Sequence, residues 1–225
     1  MSGEVPTVAH PDSPIQNPYL GRNSLYLFDV MIPGAMKFNT TVADWTHGRS
    51  LTPIQRAACQ IIPNGFSIAL SIRELLRSGY LFSAEILGRP LMKRLAVISY
   101  LMATGDDALA LWNQGWPHKT RPSLKEMLST IVEYDQFPTE TGDIRAHSKR
   151  IIDHFNSVIH ADPSGLDSNI GLSASGVLGY LSGANINDPD RCDLICAHAI
   201  TYMSLLLKRA EQIFPNLNGS AETRN

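Results

Sequence analysis

The chain has 225 residues, of which 44% are hydrophobic and 18% charged, as expected for one globular domain with a sizeable core. Its net charge of −2 argues against a general nucleic-acid binder with a basic face, although it leaves room for a local basic cluster. The three cysteines predict free thiols in a reducing compartment, and the first 21 residues lack the apolar core of a signal peptide. No apolar run is long enough to span a bilayer, so we expect a cytoplasmic protein without a membrane partner.

Residues 1–50 are predicted to form an irregular N-terminal arm and a loop, because prolines, glycines and asparagines punctuate them without periodicity. Within this region, the apolar segment 24–32 could form a strand or a short helix, and residues 35–51 are predicted as loop.

From residue 51 onward, apolar residues recur at helical spacing, which predicts a bundle domain over 51–214 and a disordered polar tail over 215–225. The predicted helices cover residues 52–62, 66–78, 80–103, 106–112, 124–134, 143–161, 172–182 and 188–214. Pro63 either breaks or kinks the chain, and Gly88 with Pro90 either kinks or splits the third helix. The sequence therefore predicts an all-α, single-domain antiparallel bundle of about seven helices.

One predicted helix combines histidines with positive charge. Over residues 143–161 it carries His147, His154, His160, Arg145, Lys149 and Arg150. His147 and His154 share a face with Arg150 between them, while Asn156 and His160 form a second line four residues apart. Cations beside titratable imidazoles suit contact with phosphate or RNA and acid–base catalysis. The plainer interpretation is a solvated face, with His160 at the negative end of the helix dipole.

The nearest approach to a metal-binding pattern is formed by Cys192, Cys196 and His198. The two cysteines share a helical face, but His198 lies two residues further and points elsewhere, so one helix cannot present all three to zinc. We expect the cysteines to be small buried residues, and we predict no metal and no cofactor.

Three glycines, Gly176, Gly179 and Gly183, recur at a spacing of three and four residues. The segment does not match a nucleophile elbow, and the spacing favours close packing of one helix face instead.

Two segments carry a resemblance to known proteins. Residues 69–103 read ALSIRELLRSGYLFSAEILGRPLMKRLAVISYLMA, and residues 155–166 read FNSVIHADPSGL. Together they resemble bacterial domains of unknown function whose helical layout is similar to that of the HEPN (higher eukaryotes and prokaryotes nucleotide-binding) superfamily.

The resemblance implies a homodimer that binds RNA or a nucleotide and has metal-independent ribonuclease activity in defence or toxin–antitoxin systems. It directs attention to Arg89 and His160, although Lys93 stands where the family usually has an acidic residue. Arg191 and His198 match the Arg-x4–6-His spacing of the superfamily, but about one such match is expected by chance, so this pair ranks below the histidine-rich helix.

We therefore expect His160 or His154 to deprotonate a ribose 2′-hydroxyl. Arg150, Arg145 or Arg89 would stabilise the charge that builds on phosphate, and Asn156 belongs to the same candidate site. If Arg89 is buried in its apolar helix it needs a partner, either Glu85 or the polar cluster at His154 and His160.

The alternative function is a non-catalytic interaction subunit, such as an antitoxin or a defence-complex partner. Its partner would meet an exposed apolar arm and two tryptophans: Leu25, Tyr26, Leu27, Phe28, Trp112 and Trp116. A helical metal enzyme is less favoured, because the Glu-x-x-His pairs of such bundles are missing from the sequence.

Overall fold

The computed structural model describes residues 23–117, 119–135, 141–160, 170–172, 178–180, 189–215 and 217. In chain order the elements are α1 (Asn23–Thr46), α2 (Pro53–Arg77), α3 (Leu81–Thr104), α4 (Asp106–Asn113), α5 (Leu124–Tyr134), α6 (Thr141–Ile159), β1 (Ile170–Leu172), β2 (Leu178–Tyr180) and α7 (Pro189–Ile213). The prediction of an all-α bundle is confirmed, with one two-stranded ribbon as its only sheet in the part of the chain described. None of these helices is long and apolar enough to cross a membrane.

Residues 24–32 are helical, which was one of the two alternatives for this segment, whereas the loop prediction is wrong because α1 continues through residues 35–46. Its buried positions recur every three to four residues or a multiple: Leu25, Phe28, Ile32, Ala35 and Val42. The carboxylate of Asp29 pairs with Arg73 and Arg77 of α2, which fixes α1 against its neighbour. Burial of this face outweighs the helix-breaking tendency of Pro33.

The exposed apolar arm expected for a protein partner is largely wrong for the same reason. Leu25 and Phe28 are buried in the core, and only Leu27, at 55% exposure, is an open apolar side chain of that group. Trp112 and Trp116 are half-buried against the core as well.

Helices α2 and α3 are each continuous and form the most extensive helix pair of the described structure. Thr52 and Gln55 form a capping box at the start of α2, in which each side chain accepts the backbone N–H of the other. Pro63 lies inside α2, and Gly88 and Pro90 lie inside α3, so neither segment is split.

Helix α7 lies across α1, α2 and α3 and completes the core. Near its end, buried Arg209 donates to Ser99 Oγ of α3 at 2.9 Å and pairs with Asp135, directly after α5. These bonds satisfy a guanidinium that is only 5% exposed.

The predicted glycine-rich helix over 172–182 is wrong at the residues of this range that the structure describes, 172 and 178–180, which are in strands. Ile170 to Leu172 pair antiparallel with Leu178 to Tyr180, in the register Gly171 opposite Gly179. Glycine has a low helix propensity, so the spacing of three and four did not produce a helix here. Gly176 and Gly183 lie outside the described residues, as do residues 1–22 and 218–225, whereas Leu217 in the predicted tail is buried.

Candidate functional site

A buried carboxylate, Glu85 of α3, joins three helices and is only 6% exposed. Its Oε2 accepts from Nε of Arg191 in α7 at 2.9 Å and also from Nη2 of the same guanidinium. Its Oε1 lies 2.7 Å from Nε2 of His154 in α6. Both carboxylate oxygens therefore have partners, as a buried charge requires. We call Glu85, His154 and Arg191 the carboxylate cluster.

A glycine one helical turn after Glu85 brings α6 close enough for this contact. A Cβ added at Gly88 would lie 2.7 Å from ring atoms of Phe155, which is itself buried. The absence of a side chain at Gly88 thus lets Phe155 pack directly against α3. His154, the preceding residue, reaches Glu85 as a result.

The three side chains differ in exposure, and this difference makes one of them accessible for a reaction. The side chains of Glu85 and Arg191 are 7% and 9% exposed, whereas that of His154 is 42% exposed. A neutral imidazole that donates its Nε2 proton to Glu85 keeps Nδ1 as an acceptor. His154 is therefore held at one nitrogen and is half-exposed to solvent.

His198 adjoins the same region through aromatic contacts. Its ring centroid lies 6.0 Å from that of Phe155, edge-on, and 6.2 Å from that of Tyr202, stacked. Arg191 and His198, the pair ranked low in the sequence analysis, thus both contact residues at the α3–α6–α7 junction. A lone glutamate in the apolar α3 was the sequence signal for a buried partner, but nothing local pointed to Arg191.

The other predicted site residues are not members of the carboxylate cluster. Arg150 is exposed one helical turn before His154, and His160 is exposed after the last turn of α6. Asn156 is half-buried, and its Oδ1 is buried without a hydrogen-bond partner in the described part of the chain. The side chains of Arg145 and His147 lie outside the description.

Arg89 is half-buried, and among the described residues it forms no ion pair with Glu85. Arg89, Lys93 and Arg121 instead line a groove of about 630 Å³ between α3, the start of α5 and the end of α6, which we call the cationic groove. In the described residues, none of these three cations forms an ion pair with a carboxylate. Ile159, which precedes His160, lines the same groove.

The ammonium group of Lys93 lies near other positive charges in the cationic groove. Partial burial lowers the pKa of its ammonium group, and the neighbouring Arg121, Arg94 and Arg89 lower it further. The carboxylate that lines the groove, Glu126, accepts the Ser123 backbone N–H at 2.6 Å in the capping box of α5.

The cysteines are free thiols, as predicted, and Cys192 and Cys196 are fully buried. A hydrogen bond with Cys192, followed by burial, raises the pKa of the Cys196 thiol far above its usual range. Across the described residues, no three or more His, Cys, Asp or Glu side chains are arranged to hold a metal ion.

Comparisons with protein-family models, with curated proteins and with solved structures found no match to this chain.

Proposed function

We propose that this protein is a metal-independent ribonuclease in which His154 acts as the general base. The observation that carries the proposal is the 2.7 Å contact between His154 Nε2 and buried Glu85. A carboxylate that holds one imidazole nitrogen orients the ring and fixes its tautomer, which is what a positioned base requires.

In the proposed reaction, Nδ1 of His154 removes the proton of a ribose 2′-hydroxyl. The 2′ oxygen then forms a bond to the adjacent phosphorus while the bond from phosphorus to the 5′ oxygen breaks. The leaving oxygen takes a proton from solvent. The products are a 2′,3′-cyclic phosphate and a 5′-hydroxyl end.

Arg150 is the cation best placed to act with His154 in this proposal. It lies one helical turn earlier on the same face of α6 and is exposed, so it can contact the phosphate that gains charge. Arg191 has a different role, since it compensates the buried charge of Glu85. His160 keeps its place as a second candidate base, with an exposed side chain but no carboxylate to orient it among the described residues.

The test is cleavage of a single-stranded RNA in buffer with EDTA, by the wild-type protein and by His154→Ala. General-base catalysis contributes roughly a hundredfold to ten-thousandfold, so we expect at least a hundredfold loss of rate. His47→Ala, at an exposed histidine just after α1, is the matched control and should cleave normally. Equal rates for wild type and His154→Ala, or no cleavage by either, would reject the proposal.

From the HEPN resemblance we further propose that the protein is a homodimer and that it acts in bacterial defence or in a toxin–antitoxin pair. Two copies of the site would form one deeper groove across a two-fold axis. Molar mass in solution by light scattering tests the dimer, and a monomer at micromolar concentration would contradict it.

The alternative function, a non-catalytic interaction subunit, is favoured by one observation on α1. Leu27 and Val30 are 55% and 52% exposed and lie three residues apart, hence on one face. This alternative gains if the purified protein leaves RNA intact and binds a partner protein that the variant with both Leu27→Ser and Val30→Ser no longer binds.

A further inference from the structure

We propose that the cationic groove binds the phosphate group of a nucleotide or of an RNA chain. This inference goes beyond the proposed cleavage, because Glu85, His154 and Arg191 are not among the residues that line the groove.

The local positive charge of the groove favours binding of a phosphate group. Arg89 and Lys93 of α3 and Arg121 before α5 face one groove in a protein whose formal net charge is −2. Without a carboxylate paired to any of them in the described residues, the three cations repel one another at a protein surface. Partial burial lowers the pKa of Lys93, and repulsion from Arg121, Arg94 and Arg89 lowers it further. A bound phosphate would relieve this repulsion by offering several acceptor oxygens at once.

The cationic side chains of the groove are available as hydrogen-bond donors to a ligand. Glu126 is the acidic residue that lines the groove, and its carboxylate accepts the backbone N–H of Ser123 at 2.6 Å. This carboxylate therefore caps α5 and does not pair with Arg89 or Arg121. The first turn of α5 borders the groove as well, and the positive end of its dipole adds to the field of the three cations.

The size and lining of the groove favour a nucleotide over a bare anion. A groove of about 630 Å³ lies in the range that accommodates small ligands, roughly 300–1,000 Å³. Beside the cations it is lined by Pro90, Pro122, Leu124, Met127 and Ile159. These apolar side chains provide contact area for a sugar or a base next to the phosphate.

The test measures binding of four probes by calorimetry or fluorescence anisotropy. They are inorganic phosphate, adenosine, adenosine 5′-monophosphate and a 2′-O-methyl RNA decamer, which cannot be cut through its 2′ oxygen. We expect the monophosphate to bind more tightly than phosphate, and adenosine not to bind. Decamer binding stronger than that of the monophosphate identifies an RNA chain as the source of the phosphate, and weaker binding identifies the free nucleotide. Because no probe is cleaved, this result is independent of the ribonuclease proposal.

Variants locate the site. Arg121 is exposed, so Arg121→Gln should fold normally and weaken binding of the monophosphate about tenfold, as for loss of one charge-assisted hydrogen bond. If the decamer binds, three phosphate contacts predict a slope of about −2 for log K against log salt concentration, and Arg121→Gln should reduce its magnitude by about 0.7.

Arg56→Gln removes the same charge from an exposed site on α2 and serves as the matched control. Unchanged affinity in Arg56→Gln with weaker binding in Arg121→Gln supports the groove. Equal weakening by both variants, no effect of Arg121→Gln, or no binding of the monophosphate and the decamer would overturn the inference.

Discussion

Glu85 and Arg191, 106 residues apart in the chain, form a buried ion pair that joins α3 to α7. Because Glu85 also binds His154, the same carboxylate fixes the position of α6. The candidate base is therefore oriented by an interaction that also contributes to the fold.

Glu85→Gln tests how much the ion pair between Glu85 and Arg191 contributes to the free energy of unfolding. Glutamine keeps the shape but removes the negative charge that faces Arg191, and breaking a buried ion pair costs about 3–5 kcal/mol. We expect a loss of this order in the free energy of unfolding, measured by urea denaturation. Glu74→Gln is the control, because Glu74 pairs with Arg73 but is 64% exposed, and should change stability by less than about 1 kcal/mol. Similar losses for the two variants would contradict the assignment.

Gly88→Ala tests the contact that brings α6 to α3. The added Cβ would lie 2.7 Å from the Phe155 ring, so α6 must shift, at a cost of roughly 1–3 kcal/mol. Gly34→Ala is at an exposed position of α1, where the added Cβ meets no atom within 4 Å, and it should stabilise the protein by about 0.5–1 kcal/mol. Thermal unfolding of both variants measures these changes in stability, which should have opposite signs. Stabilisation by Gly88→Ala would contradict the close packing of Phe155 against Gly88.

Tyr202→Phe tests the buried hydroxyl beside His198. In the described part of the chain the Tyr202 hydroxyl has no hydrogen-bond partner, so its removal should leave the protein as stable or about 1 kcal/mol more stable at neutral pH. Tyr134→Phe, at a tyrosine that is 49% exposed, is the control and should stay within about 0.5 kcal/mol of wild type.

The same tyrosine predicts a difference at high pH. Burial raises the pKa of Tyr202 to about 12, because the fold disfavours the phenolate. The folded state therefore holds its proton more tightly than the unfolded chain, whose tyrosines titrate near 10. Stability from this group is complete below pH 10 and is lost as the pH rises toward 12. Tyr202→Phe should show a shallower decline over this window than wild type, and identical curves would contradict the burial of the hydroxyl.

The cationic groove predicts that nucleotide affinity depends on the protonation of Lys93. Its neighbours Arg89, Arg94, Arg121 and Glu126 leave an excess of positive charge, and the pKa of Lys93 is lowered. The second ionisation of the phosphate, with a pKa of about 6, is nearly complete above about pH 8. Affinity should therefore fall about tenfold as Lys93 loses its proton at a pH below the usual lysine range near 10.4. Lys93→Arg should remove this decline, and an unchanged pH profile in Lys93→Arg would exclude Lys93 as a ligand.

Much of the fold could be predicted from local sequence signals. The start of α5 follows from Ser123 with Glu126 three residues later, and that capping box is present in the structure. The continuation of helix α1 beyond residue 32 was missed because Pro33 followed by Gly34 resembles a stop signal. Only tertiary burial of its apolar face, together with the Asp29 pairs to α2, explains why the helix continues.

The candidate site was less accessible to sequence reasoning. His154 stood out because of its charged neighbours, but its partner Glu85 lies 69 residues away and belongs to an otherwise apolar helix. Arg191 could not be separated from a chance match. The spacing of residues along one helix does not reveal which side chains of distant helices meet.

The central claim is that His154, held by Glu85, is the base that activates a ribose 2′-hydroxyl. The most direct measurement uses a DNA oligonucleotide with a single ribonucleotide, incubated with EDTA and with wild-type or His154→Ala protein. The account predicts one cut, directly 3′ of the ribonucleotide, with a 2′,3′-cyclic phosphate end and a rate at least about a hundredfold lower in the variant. Cutting at deoxyribonucleotides, or equal rates for the two proteins, would contradict it.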